Sequence, residues 1–261
     1  MTFLENCIKK LDNVKLNKDE QHEWVEVKDF IDRDDITKIV SEINHLKDKE
    51  ELSWIKYNTP IENKMTNNNW NDFSESLYTL FSSLNDSNFV KQISKIFGVE
   101  LIPDNGLHGG GIHLSSAGGR LDPHLDYAIH PKLNKLRYVN AILFLTSQNI
   151  DFKGGSLGFW HRMSENINPA FGEPAHKIIP EAGKLVLFNV SGYSWHGLCE
   201  DVSNGLRISL ATYYLTEIKN KKYKTNRSAA VFSATSEREI NEKVIDAQNK
   251  RLVKAGLKAN E

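Results

Sequence analysis

Two residues apart on an extended segment, His124 and Asp126 project from one face of a strand. A second imidazole follows at His196, within Ser194-Trp195-His196-Gly197. Eleven residues further on stand Arg207 and Ser209, again at strand spacing and on one face. Two imidazoles and one carboxylate on a β scaffold are the set that holds Fe(II) on one side and leaves three positions open. Open positions are what O2 chemistry requires. An arginine with a hydroxyl beside it suits a carboxylate, because a guanidinium donates a charge-assisted, often bidentate pair. Singly, each residue has a plainer reading as a surface pair, a satisfied core histidine or an interior ion-pair partner.

The elements that must position these groups change character along the chain. Residues 1–98 read as a mostly helical support region. Phe3, Leu4, Cys7, Ile8 and Leu11 recur at three-to-four spacing, as do Ile36, Ile39, Val40, Ile43 and Leu46 after the candidate cap Asp34. Leu77–Leu84 and Phe89–Phe97 give two further apolar faces, Trp24–Ile31 has room for a strand, and the polar stretch Asn58–Asn71 reads as a loop. From 99 to 217 glycine becomes frequent and short β-rich runs follow one another without helices between them. These are Gly111–Ser115, Arg137–Thr146, Ser156–Trp160, His176–Ile179, Lys184–Asn189, Trp195–Glu200 and Leu206–Thr216. Such a pattern predicts an antiparallel sandwich or barrel. Residues 218–261 form a charged tail: the basic run Lys221–Lys224 reads as solvated surface, and Ser236–Lys258 as a peripheral helix. The expected class is therefore α+β with a mainly β core.

Composition narrows the function classes. The 261 residues are 39% hydrophobic and 26% charged, which fits an ordinary globular chain. Thirty-three basic against 34 acidic side chains leave a net charge of −1, so no global field attracts nucleic acid or an anionic membrane. No apolar run approaches the roughly 18 residues of a membrane span. MTFLENCIKK lacks the apolar core of a secretory signal, and a cytoplasmic location is expected. Cys7 and Cys199 make neither a disulfide framework nor a Cys-only zinc site.

Around the chemistry-bearing residues lies a longer pattern. It comprises Gly118-Gly119-Arg120-Leu121-Asp122-Pro123-His124-Leu125-Asp126, Arg137 opening a strand, Gly154-Gly155-Ser156-Leu157, Pro180 and Gly183 before Leu185–Phe188, Trp195-His196-Gly197, and Arg207-x-Ser209. Over about residues 105–216 the chain resembles the Fe(II)/2-oxoglutarate-dependent dioxygenases, in their prolyl-4-hydroxylase-like branch. The resemblance implies a double-stranded β-helix (jelly-roll) core, with N-terminal helices packed on it and iron held by His124, Asp126 and His196 near one open end. It also implies 2-oxoglutarate and O2 as cosubstrates, with ascorbate as a supporting reductant. Arg207 is implied as the partner of the distal 2-oxoglutarate carboxylate, with Ser209 assisting. Relatives often add a tyrosine hydroxyl at the position matched by Phe144, which has none. Asn140, Tyr138 and His113 are the candidates to replace it. Related halogenases lose the carboxylate ligand, so Asp126 favours hydroxylation or desaturation.

The implied function is hydroxylation of an unactivated C–H bond of a small molecule, with release of succinate and CO2. The alternatives are a prolyl or other residue hydroxylase acting on protein or peptide, and a catalytically silent jelly-roll binding module. Substrate is expected to enter over the loops nearest the iron. Tyr127, opening the segment to Leu136, and His161 and Arg162, in the connection to Pro174, are the candidate wall residues. No sequence spacing recommends His22, His45, His108, His130, His161 or His176 as ligands.

Overall fold

The computed structural model describes residues 2–190, 192–220 and 225–259; the basic run Lys221–Lys224 lies outside the described residues. Along the chain come α1 (Phe3–Lys10), β1 (Asn17–Lys18), β2 (Glu23–Val27), α2 (Arg33–Leu46), β3 (Ile55–Thr59) and β4 (Glu62–Asn67). There follow α3 (Glu75–Leu84), α4 (Ser87–Phe97), β5 (Ile102–Pro103), β6 (Gly111–Ser115), β7 (Arg120–Leu121), β8 (His124–Leu125) and β9 (Leu136–Phe144). The rest is β10 (Phe152–Lys153), β11 (Leu157–Trp160), β12 (His176–Ile178), β13 (Leu185–Asn189), β14 (Trp195–Leu198), β15 (Asn204–Gly205), β16 (Arg207–Thr216), β17 (Val231–Phe232) and α5 (Glu242–Lys254).

Two antiparallel sheets face each other. The larger runs β1-β2-β13-β9-β16-β6-β4-β3, and the smaller β12-β11-β14-β8-β17. This is the expected jelly-roll class, open rather than a closed barrel. Central strands of the larger sheet are buried at nearly every position because both of their faces are covered. On β13, Val186 and Phe188 turn inward to meet Leu157, Phe159 and Ile178 of the smaller sheet. Leu185 and Leu187 turn outward into a second core with Leu77, Phe81, Phe89 and Ile93 of α3 and α4. The helices thus brace the back of the sheet whose front carries half the cavity.

Helix ends follow local chemistry. Ser74 and Asp86 cap α3 and α4 with side-chain oxygens, and Gly98 ends α4 in the left-handed region. Asp32, not Asp34, occupies the N-cap of α2.

Strand pairing crosses the segment limits that periodicity suggests. The stretch read as a loop contains β4, which forms a hairpin with β3 and pairs with β6. All its side chains but Met65 are polar because one face looks into the cavity and water, so no apolar alternation marks it. β2 extends the larger sheet beside β13, and β17, from the tail, pairs with β8. α5 is no bystander either: Val244 packs with Ile61 and Phe232, and Arg251 pairs with Glu62 of β4 at 2.7 Å.

Gly111 is where β6 seats against β4. Its φ is +92°, and an added Cβ would stand 2.1 Å from the Asn67 carbonyl oxygen. Gly111→Ala is expected to lower unfolding free energy by about 2 kcal/mol or more, as backbone strain and a backbone clash together demand. Gly172→Ala, where a Cβ meets nothing within 4 Å, should change it by less than about 0.5 kcal/mol. Urea melts of both variants check the contrast, and equal stabilities would contradict it.

Candidate active site

Antiparallel register builds the centre of the site. His196 of β14 pairs directly with His124 of β8, and their ring centroids lie 4.3 Å apart. Phe232 of β17 pairs with His124 from the other side and stacks on its ring at 5.1 Å. Phe188 meets His196 edge-on at 4.9 Å. Each imidazole Nδ1 lies against a main-chain oxygen two residues upstream, His124 on Asp122 at 3.0 Å and His196 on Ser194 at 2.9 Å. Those bonds place the proton on Nδ1 and leave the Nε2 lone pairs facing the cavity. Asp126 completes the group, with Oδ1 3.9 Å from His124 Nε2 and Oδ2 3.7 Å from His196 Nε2.

These separations are too long for hydrogen bonds and suit three ligands around one ion with bonds of roughly 2 Å. Asp126 Oδ2 is buried with no hydrogen-bond partner, an orphan that a cation satisfies. The three donor atoms lie within 4.8 Å of one another. The residues therefore fit an Fe(II) site of the two-histidine, one-carboxylate kind.

Charge around the group is ordered. Burial pushes the His124 imidazole well below the usual histidine range, reinforced by His196, and burial likewise lowers His196. For Asp126, burial acts upward, but Arg137 and the two imidazoles outweigh it and hold the carboxyl below its ordinary value. Arg137 lies 3.6 Å from Asp126 Oδ1 and is clamped between the rings of Tyr127 and Tyr213, 3.5 Å from each centroid. Tyr213 was not legible as a site residue, although it lies on the Arg207–Ser209 face of β16; Asn140 Nδ2 donates to its hydroxyl at 3.2 Å. Arg227, equally unforeseen, donates Nε–H to the Asp126 carbonyl at 2.9 Å and pairs with Glu165 at 2.8 Å.

A cavity of about 350 Å³ joins these groups to a second cluster. Arg207 is buried, donating Nε–H to the Gly155 carbonyl at 2.9 Å and Nη1–H to Ser209 Oγ at 3.2 Å. Among the described residues no carboxylate pairs with it. Phe144 lies under its guanidinium at 5.1 Å. His113, paired with Ser209 across β6 and β16, lines the same cavity, and its Nε2 is buried without a partner. Burial, with Lys64 and Arg207 nearby, pushes that imidazole down to about 3.

Asn140, Tyr127 and His113 line the cavity, whereas three other expectations are corrected. Tyr138 packs in the helix-side core, because the register slip between Tyr214 and Leu215 passes over it and turns it away. His161 and Arg162 do not line the cavity. Arg162 is locked within its own connection, stacked on Phe171 at 3.7 Å and donating to the Asn166 carbonyl at 2.8 Å. The mouth is walled instead by Tyr57, Glu62 and Lys64 of the hairpin and by Phe232, Arg251 and Lys254 of the tail. A wider groove of about 940 Å³ runs along the hairpin and the turn after α2, away from the histidine pair.

The fold brings a donor set that fits non-haem iron to one cavity with a buried guanidinium. Residues 110–215 match the family model described as the 2OG-Fe(II) oxygenase superfamily. Fe(II), 2-oxoglutarate and O2 are the cofactor and cosubstrates of that family. Among solved structures, a Pseudomonas putida prolyl-4-hydroxylase superposes with a TM-score of 0.53 at 17% identity, covering 82% of this chain and 99% of that one. A Trichoplax adhaerens prolyl hydroxylase, solved with a hypoxia inducible factor peptide fragment, gives 0.53 at 14%, covering 81% and 88%. The alpha-ketoglutarate-dependent epimerase SnoN of nogalamycin biosynthesis gives 0.53 at 12%, covering 89% and 86%. At such identities the likeness is one of fold. No curated protein matches the sequence. No helix among the described residues is long and apolar enough to cross a membrane.

The depressed imidazoles give a pH test. A histidine of ordinary pKa, about 6.5, starts to lose metal to protons near neutrality. Here affinity for Co(II) should persist to lower pH than that, because burial lowers both histidines. Equilibrium dialysis across pH checks it, and a decline already under way at about pH 7 would contradict it.

Proposed function

We propose that the protein is a 2-oxoglutarate-dependent Fe(II) hydroxylase of a small molecule. In this reading His124 Nε2, His196 Nε2 and the Asp126 carboxylate hold the iron. Bound Fe(II) supplies activation of O2, coupled to conversion of 2-oxoglutarate to succinate and CO2 and to hydroxylation of the substrate. The single observation that carries the reading is Arg207, a buried guanidinium without a carboxylate partner among the described residues, opening into the cavity that holds the histidine–aspartate group. An unpaired buried cation is costly, and a dicarboxylate reaching from the metal to Arg207 relieves it.

The chain's own residues then divide the work. Gly155 and Ser209 fix the guanidinium so that it meets the carboxylate without reorganisation. His113, opposite Ser209, takes the place of the hydroxyl that Phe144 lacks, and Phe144 offers an apolar floor. Arg137, held rigid by two tyrosine rings, keeps Asp126 ionised. Arg227 fixes the backbone of the same residue.

Two observations support a small molecule. The cavity is near the lower end of the roughly 300–1,000 Å³ range for small-molecule sites. Its mouth is spanned by the Arg251–Glu62 ion pair, which an extended polypeptide would have to displace. Fold alone does not choose, since one architecture serves both a prolyl-4-hydroxylase and a nogalamycin-pathway epimerase.

Arg207→Ala is expected to weaken 2-oxoglutarate binding by about 2–5 kcal/mol, roughly 30-fold or more, with Co(II) affinity nearly unchanged. His113→Phe should cost about 1.5 kcal/mol or more, on the order of tenfold, as loss of a hydrogen bond to a charged group. Calorimetric titration of 2-oxoglutarate into the Co(II) protein measures both, and wild-type affinity in Arg207→Ala would move the anchor elsewhere. A panel of metabolites and proline-containing peptides, read as substrate-stimulated succinate formation, tests the substrate class. Stimulation by peptides alone would sink the small-molecule reading. Failure to convert 2-oxoglutarate under any condition, with iron bound, would favour the silent module.

A further inference from the structure

Away from the cavity, the fold gathers a second set of metal-ligating side chains. Asp19 sits in the turn between β1 and β2, its Oδ1 fixed by the backbone N–H groups of Gln21 and His22, each 2.7 Å away. Its Oδ2 faces two imidazoles from a distant part of the chain, His161 Nε2 at 2.8 Å and His176 Nε2 at 2.6 Å. The three donor atoms lie within 4.8 Å of one another. His161 directly follows β11 and His176 opens β12, so one carboxylate reaches both stems of the connection between them. Packing holds the rings in place: Trp24 covers His176 at 4.4 Å, and His161 stacks on His22 at 5.4 Å.

His22 supplies an independent sign of a missing cation. It is fully buried, and its Nε2 lies 3.2 Å from the Trp195 carbonyl oxygen. That nitrogen must therefore carry its proton, which leaves a lone pair on Nδ1. Nδ1 is buried without a hydrogen-bond partner and lies 3.6 Å from Asp19 Oδ1. A lone pair facing a carboxylate oxygen, shielded from water, is an unfavourable pairing that a nearby positive ion relieves.

We propose that Asp19, His161 and His176 form a second metal site, for a divalent first-row ion of the Zn(II) class. Such an ion takes imidazole nitrogen and carboxylate oxygen in a tetrahedral set with bonds of about 2.0–2.2 Å. Each histidine gives up its Nε2–H bond to Oδ2 and binds the ion through the freed Nε2 lone pair, its proton passing to Nδ1 or to water, and the fourth position is open to water. The ion ties the 19–22 turn to both ends of the 162–175 connection. Within that connection Glu165 pairs with Arg227, which holds the Asp126 backbone, so the tie reaches the cavity wall. No part of this rests on the reaction proposed above.

The test is metal content. Full-length protein stripped with chelator is dialysed against Zn(II) and assayed by elemental analysis, beside the double variants His161→Gln/His176→Gln and His124→Gln/His196→Gln. Two ions per chain are expected in the unaltered protein and one in each double variant. Asp19→Asn gives a second route to the same loss should the histidine pair fold poorly. In the His124→Gln/His196→Gln variant, saturating Zn(II) is expected to raise Tm by about 5–10 °C, as for a ligand near 100 times its Kd. One ion in the unaltered protein that survives His161→Gln/His176→Gln overturns the second site. One ion that is lost there but kept without His124 and His196 upholds it and overturns the iron assignment instead.

Discussion

The register between β8 and β14 is the constraint on which the rest depends. It sets His124 opposite His196, and opposed residues in an antiparallel pair have Cβ atoms only about 4.5–5.5 Å apart. A slip of one residue would turn one imidazole to the other face and disperse the group. The register is guarded on several sides. Gly197 next to His196 sits so close to β7 and β8 that a Cβ would stand 2.8 Å from the Asp122 carbonyl oxygen. Asp122 forms an ion pair with Arg238, which also pairs with Asp201 at 2.7 Å. Arg120 in turn clamps Asp201 at 2.8 Å. The smaller sheet is therefore pinned by backbone closeness and by a partly buried charge network at the positions where the donors emerge.

Charge placement gives the cavity its direction. At one end Asp126 is compensated by Arg137, and the guanidinium is itself satisfied by aromatic faces on both sides. At the other end Arg207 has hydroxyl and carbonyl partners but, among the described residues, no anion. A neutral ligand leaves that asymmetry in place, whereas a dianion with one end near the histidine pair removes it. Burial sharpens the preference, since the same attraction is several times weaker in water. The apolar side chains between the ends, Ile142, Leu157 and Phe144, keep the dielectric low and the path short.

What was legible in the sequence was what lies close along it. His124 and Asp126 are two residues apart, as are Arg207 and Ser209, and the strands Gly111–Ser115 and Leu185–Asn189 stand out as β-rich runs between turns. The mouth was not legible. Tyr57, Lys64 and Arg251 come from a polar hairpin and a charged tail, whose composition is that of any solvated surface. Only tertiary pairing, β4 on β6 and Arg251 on Glu62, turns those surfaces toward the cavity. Tyr138 failed for a different reason: strict alternation along β9 places it beside Asn140, and a single irregularity in the ladder undoes that. Period-two arguments hold only between bulges.

The same principle explains why one histidine–aspartate group was visible and the other was not. Asp19, His161 and His176 come from three separated segments, with no short spacing to flag them. Yet their surroundings assign them a different part. The cavity trio is walled by Phe232 and Phe188, its donors held apart at distances no hydrogen bond spans, with an open space before it. The Asp19 group is half-exposed, already in direct contact, and faces the surface. Separated donors before a cavity leave room for ligands to exchange, which chemistry needs. Closed donors that join distant stretches of chain hold structure together. Identical residue types thus differ in spacing and burial, neither of which a motif records, and the two proposed sites differ accordingly.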